Sequence, residues 1–275
     1  MSYLIFIVLF TLLIYCPVAH WTWHPNGFLH KWGVLDFAGG TVVHMTAGFA
    51  ALAGAIYLGP RKAHAPGYAH QPANIPFVLL GTGMLWFGWF GFNAGSALAA
   101  NETAVLAFMT TNTASASAML AWVFFDAVRG RRPSAMGASV GAVVGLVAIT
   151  PAAGYVTVGQ SLAIGIIASI VSNMAVHRKA RTKLDDTLDV FPCHGVGGIT
   201  GMIATGVFAD KVGLIHGDPT IFFRHLATVV IVGAYSLAGS WLIYRVSDAL
   251  ITLRVRPEQE ETGLDLAQHA ESYSG

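Results

Sequence analysis

The chain has 275 residues, 55% of them hydrophobic and only 11% charged, with a mean hydropathy of +0.61. A soluble domain carries about 25% charged residues, so a water-exposed globular fold is excluded and a polytopic membrane protein is expected. The net charge of +1 gives no pointer to a nucleic-acid partner, and none is expected.

Eight apolar windows of near-spanning length follow one another, at about 2–18, 37–59, 76–98, 103–126, 134–153, 159–176, 190–208 and 221–248. The expected fold class is all-α: a membrane helical bundle over 1–250, followed by a polar tail over 251–275. No basic segment or small-residue cleavage site precedes or follows the first window, so it reads as a spanning helix rather than a signal peptide. A loop with Trp21, Trp23 and His24 comes next. The second window opens at Asp36-Phe-Ala-Gly-Gly-Thr-Val-Val-His44. At 1.5 Å per residue His44 lies about 12 Å along from Asp36, inside the apolar run. A polar ring at that depth is expensive and points to function. Asp36 reads either as a helix N-cap or as an acid that stabilises a cation.

The third window ends in Gly88-Trp-Phe-Gly-Phe-Asn-Ala-Gly-Ser96. An aromatic face attracts an ammonium-type cation. Phe92 and Trp23 are therefore candidates for a cation site, with the Ser96 hydroxyl as an acceptor; the ordinary alternatives are helix packing for Phe92 and an interfacial belt for Trp23. The seventh window carries the second deep histidine, His194, behind Asp189-Val-Phe-Pro-Cys. Two acid-led histidine helices of opposite direction suggest inverted halves with a site near the midplane. Neutral imidazoles in contact both donate and accept, which suits a path for a small polar solute and a proton relay. His44 and His194 are the only histidines expected deep in spans.

Twelve basic residues fall on alternate connections and the tail (Arg61, Lys62, Arg129, Arg131, Arg132, Arg178, Lys179, Arg181, Lys183, Arg245, Arg254, Arg256), against Lys31, Lys211 and Arg224 on the other side. The bias places the tail in the cytoplasm. Cys16 and Cys193 read as packing residues rather than a disulfide. There is no GxxxxGK[ST] loop and no HExxH, so neither ATP-driven transport within the chain nor a zinc protease is expected.

At these segments, together with Asn101-Glu102, Ile149-Thr-Pro-Ala-Ala-Gly-Tyr155 and the tail's Gly263-Leu-Asp, His269 and Glu271, the chain resembles the Amt/Mep/Rh ammonium transporter family, nearest its microbial and plant Amt branch. The resemblance covers almost the whole chain. It implies a homotrimer in the cell membrane, each subunit with a pore between two inverted five-helix halves and a final long helix. It implies that His44 and His194 are twin pore histidines. Trp23, with Trp21 as a rival, would be the outer-site tryptophan; Phe92 would belong to a stacked gate pair, Ser96 would be the outer hydroxyl and Asp36 the nearby acid. The tail would couple subunits and meet a PII signalling protein. No enzyme activity, cofactor or metal is implied. The implied function is ammonium transport; the alternatives are an ammonium sensor and a non-conducting fragment. The family has eleven spans, and the eight windows correspond to its last eight. An N-terminally truncated chain with an incomplete first half is therefore expected. Ala270 stands where the family usually has Gly, and Ala73 where His is common.

Overall fold

Four of the apolar windows begin at a side chain able to take over an orphan helix amide. Asn74 accepts from the Phe77 amide, Asn101 from Ala104 and Ser134 from Gly137, each at 3.0 Å, and Thr157 forms a reciprocal box with Gln160. In the computed structural model, which describes residues 1–62, 64 and 72–272, the described secondary structure is helical throughout.

Helix α1 runs through Ser2–Phe10, a π turn at Thr11–Tyr15, and Cys16–Trp23. The short α2 is Phe28–Lys31. Helix α3 joins a π turn at Gly40–Met45 to Thr46–Leu58. Then come α4 (Ile75–Gly95), α5 (Glu102–Val128), α6 (Ala135–Ile149) and α7 (Val158–Lys179). Helix α8 joins a π turn at Phe191–Gly195 to Val196–Phe208, α9 is Thr220–Leu250, and α10 is Pro257–Thr262. Six of these stretches, α1, α3, α4, α5, α7 and α9, are long and apolar enough to cross a membrane. Helix α6 is shorter, and α8 gains its length only across its π turn.

Two boundaries differ from expectation for a physical reason. Trp21 and Trp23 lie on the last turn of α1, not in a loop, because Pro17 sits at a helix start just after a π turn and breaks nothing. Helix α6 stops at Ile149 rather than 153. The Thr150 and Pro151 carbonyls are thereby free to accept the Ala38 and Phe37 amides, at 3.2 and 3.0 Å. The basic connection at 60–75 is described only at its ends, and the last three tail residues lie outside the described residues.

The core is built from small residues rather than leucines. A β-carbon on Gly145 of α6 would lie 2.5 Å from the Ala114 carbonyl of α5, and one on Gly165 of α7 would lie 2.3 Å from the same oxygen. Backbones approach this closely only where side chains are nearly absent, as in helix pairs inside lipid. Helix α4 is the exception. Its window is 6% buried, and Phe77, Met84 and Phe87 point outward from it.

The tail is ordered against the bundle. Arg254 donates to the carbonyls of Leu58, Gly59 (3.1 Å) and Pro60 (2.9 Å), the turn that ends α3, and pairs with Glu260 at 3.0 Å. Nearby, Arg61 grips Asp185 through Nε at 2.7 Å and Nη2 at 2.8 Å. Burial pushes the Asp185 carboxyl up, but the hydrogen bonds and charge of Arg61 outweigh it and hold the group well below the ordinary carboxylate range.

Candidate functional site

His44 is placed by an acid and a glycine. The two oxygens of buried Asp36 take up the start of α3. Oδ1 accepts from the amides of Gly39 (2.9 Å) and Gly40 (2.6 Å), and Oδ2 from the Thr41 amide (2.7 Å) and hydroxyl (2.5 Å). The turn between acid and helix requires Gly39 at φ 119°, a left-handed angle that costs a β-carbon dearly. The π turn that follows carries His44.

The lead-in to α8 repeats this plan with a different acid from the one expected. Asp189 is not the cap. Asp186, eight residues before His194 as Asp36 is eight before His44, accepts from the Val190 amide at 3.1 Å and the Phe191 amide at 2.8 Å. Asp189 occupies the place of Gly39, with φ 53°, and pairs with Lys179 at 2.6 Å. Burial raises the Asp189 carboxyl above its ordinary range, against the pull of Lys179. Sequence reading chose the nearer acid; the eight-residue spacing was there to be found.

The two helices cross antiparallel on glycine. A β-carbon on Gly48 would lie 2.2 Å from the Gly195 amide nitrogen, and one on Gly198 would lie 3.0 Å from the Gly40 carbonyl. The crossing brings His44 Nδ1 to 3.2 Å from His194 Nδ1. The hydrogen-bond network assigns the protons. The Thr150 hydroxyl donates to the Leu146 carbonyl at 2.8 Å and accepts from Trp89 Nε1 at 3.0 Å. With its one hydrogen spent, it accepts from His44 Nε2 at 3.2 Å. His44 Nδ1 is then the acceptor, and His194 Nδ1–H donates to it. Trp89 stacks over the His44 ring at 5.4 Å between centroids, and Phe92 follows at 6.2 Å.

On the side of the Asp36 cap lies a cleft of about 550 Å³ whose lining includes Trp23, Asp36, Ser96, Asn101 and Tyr155. The Trp23 indole donates to the Asp36 carbonyl at 2.9 Å, which fixes its plane at the rim. Ser96 donates to the Phe92 carbonyl at 3.0 Å, leaving its oxygen as an acceptor toward the cleft. Phe92 is off this lining. It lies one turn deeper on α4, against Trp89 and His44, and is 38% exposed on the uncovered flank. Burial, and then the charge of Asp36, raise the Tyr155 phenol above its ordinary value, so it stays a hydroxyl donor.

The profile of the Ammonium Transporter Family matches residues 1–273. The chain belongs to the ammonium transporter family. It is 42% identical over 275 residues to "Ammonium transporter Amt1" of Archaeoglobus fulgidus, covering 98% of this chain and 70% of that protein. Among solved structures it is similar to Candida albicans Mep2, with 38% identity, a TM-score of 0.88, and coverage of 97% of this chain and 62% of that one. It is also similar to a "Sensor Amt Protein", with 35% identity, a TM-score of 0.84, and coverage of 90% of this chain and 65% of that one. The chain thus spans less than two thirds of both solved proteins. The archaeal relative is named a transporter, not an enzyme.

Within this ammonium transporter chain the two rival tryptophans separate. Trp21 turns to the other side of α1, 5.3 Å from Phe28 and 4.7 Å from Tyr235, while Trp23 lines the cleft. A third buried histidine was missed. His225 of α9 is fully buried; its Nδ1–H donates to the Met202 carbonyl at 2.8 Å, and its Nε2 accepts from the Leu35 amide at 3.0 Å. It is a neutral strut between α8, α9 and the turn before Asp36. Thr150 and Trp89 also carried no assignment; both lay inside segments read for other reasons, and their partners are 106 and 61 residues away. Cys16 and Cys193 are free.

Proposed function

We propose that the chain carries the histidine-lined part of the conduction path of an ammonium transporter in the cell membrane. One observation carries this reading: two neutral imidazoles in hydrogen-bond contact, Nδ1 to Nδ1 at 3.2 Å, at the crossing of two helices below an aromatic, acid-bearing cleft. In the cleft, Trp23 offers a ring face and Ser96 an oxygen to a small cation. Asp36, whose oxygens are occupied by the cap, acts on that cation only through its charge. Phe92 guards the descent to His44. Deprotonation at the cleft leaves a neutral solute to pass the histidines, which relay the proton. The arginine-rich side faces the cytoplasm, with the tail on it. Three copies of the chain assemble, and a PII-type protein meets the tail.

Methylammonium uptake by cells that lack their own ammonium transporters tests this. The wild-type chain is expected to support uptake, and His44→Ala and His194→Ala each to abolish it or change its selectivity. Uptake unchanged in both variants removes the role assigned to the pair.

A sensing role is the second reading, favoured by the Arg254 clamp that joins the tail to the turn ending α3. Ammonium-dependent change in amide exchange of 251–272 without measurable uptake would select it over transport.

A further inference from the structure

On the arginine-rich side, α5 and α7 end beside each other and enclose a cavity of about 260 Å³. Its floor is polar and buried. Asn173 Nδ2 donates to the Asp126 carboxylate at 3.0 Å, and Arg131 Nη1 reaches both the Asp126 oxygen (3.4 Å) and Asn173 Oδ1 (3.3 Å). His177 Nε2 lies 3.4 Å from the same carboxylate oxygen. The one acid at the floor is therefore already engaged. Asp189, on the neighbouring lead-in to α8, is paired with Lys179.

The rim is different. Arg129, Arg178 and Arg181 line it and have no acidic partner among the described residues; Arg129 lies only over the Phe125 ring, at 5.8 Å. With Arg131, four guanidinium groups face one carboxylate, a net charge of +3. Helix C-termini favour a basic residue in general. That preference does not account for three unpaired guanidiniums converging on a walled space. Arginine is the side chain that meets oxyanions with two parallel hydrogen bonds.

The surroundings identify the source of the oxyanion. Leu120, Phe124 and Val128 form an exposed apolar stripe along α5 that ends at this rim, with Phe124 64% and Val128 83% exposed. The volume falls below the roughly 300–1,000 Å³ of pockets that take drug-sized ligands, so a phosphodiester fits and a nucleotide does not. We propose that this cavity seats the headgroup phosphate of an anionic phospholipid, with the acyl chains lying along the stripe. Basic pockets between membrane helices on the cytoplasmic side bind such headgroups.

The test is equilibrium binding of short-chain phosphatidylglycerol to the detergent-solubilised chain, read by calorimetry. Phosphatidylcholine of equal chain length and inorganic phosphate are the controls. Phosphatidylglycerol is expected to bind at least tenfold more tightly than either. Arg178→Gln with Arg181→Gln removes two exposed guanidiniums that hold nothing in the fold; affinity should fall about 25-fold, at roughly fivefold per basic residue. The corresponding double Lys variant should recover most of that loss, and the melting temperature should stay unchanged. Equal binding of phosphatidylcholine, or unchanged affinity in the Gln variant, overturns the proposal. Inorganic phosphate bound as tightly as phosphatidylglycerol overturns the lipid as occupant and leaves a soluble oxyanion in its place.

Discussion

The lead-ins to α3 and α8 follow one plan, acid to histidine in eight residues through a positive-φ position and a π turn, and they execute it with different stiffness. Asp36 holds three amides and a hydroxyl, whereas Asp186 holds two amides. The left-handed position is Gly39 in one and Asp189 in the other. At the crossing, Gly48 faces Gly195 backbone with no room to spare, while Gly198 faces the Gly40 carbonyl at a distance a small shift would relieve. The related halves thus share the positions that set geometry and hardly any residue between them. One half is clamped, and the other has freedom to adjust to it.

Substitutions made in pairs put that contrast to work. The largest asymmetry belongs to the crossing. Gly48→Ala drives a methyl into backbone and should cost about 3 kcal/mol or more, at the upper end for overpacking. Gly198→Ala should cost about 1 kcal/mol. Thermal unfolding of the solubilised protein reads both, and equal losses would mean that the helices slide freely past one another.

The caps come next. Asp36→Ala orphans four donors and should cost about 2–4 kcal/mol; Asp186→Ala orphans two and should cost about 1–2 kcal/mol. A loss at Asp186 as large as that at Asp36 would erase the distinction between clamped and adjustable halves. The smallest effects lie at the left-handed positions. Gly39→Ala should cost about 1–2 kcal/mol in backbone strain. Asp189→Gly relieves strain but forfeits the Lys179 pair, so it should fall within about 0.5 kcal/mol of wild type. Strong destabilisation by Asp189→Gly would show that the ion pair, not the turn, organises α8.

Legibility followed the range of the forces involved. Apolar windows, caps such as Asn74 and Ser134, and the cost of burying a histidine are local, so the helices and the pair His44 and His194 were readable. The crossing itself was not, because Gly48 and Gly195 look like any glycines in a small-residue helix. Thr150 fixes the protons of the pair, yet nothing local distinguishes it from a threonine that bonds back to its own helix, which it also does. His225 lay near the edge of its window, where a polar residue raises no alarm. Asp186 lost to Asp189 because proximity was weighed above spacing.

Each π turn holds one residue more than an α-helix would use for the same rise, and that surplus sets a phase. An α-helix turns about 100° per residue, so removing one residue from Gly40–Met45 would swing everything beyond it by that angle. Thr41 would keep its place on the Asp36 cap, while Gly48 would rotate off the crossing and a bulkier neighbour would take its position. The stretch from acid to crossing therefore behaves as a fixed count rather than a fixed text. Substitutions that respect size are tolerable along it, and a single-residue insertion or deletion is not. The same arithmetic holds in the second half, where Phe191–Gly195 shares almost no residues with its counterpart but occupies the same rung.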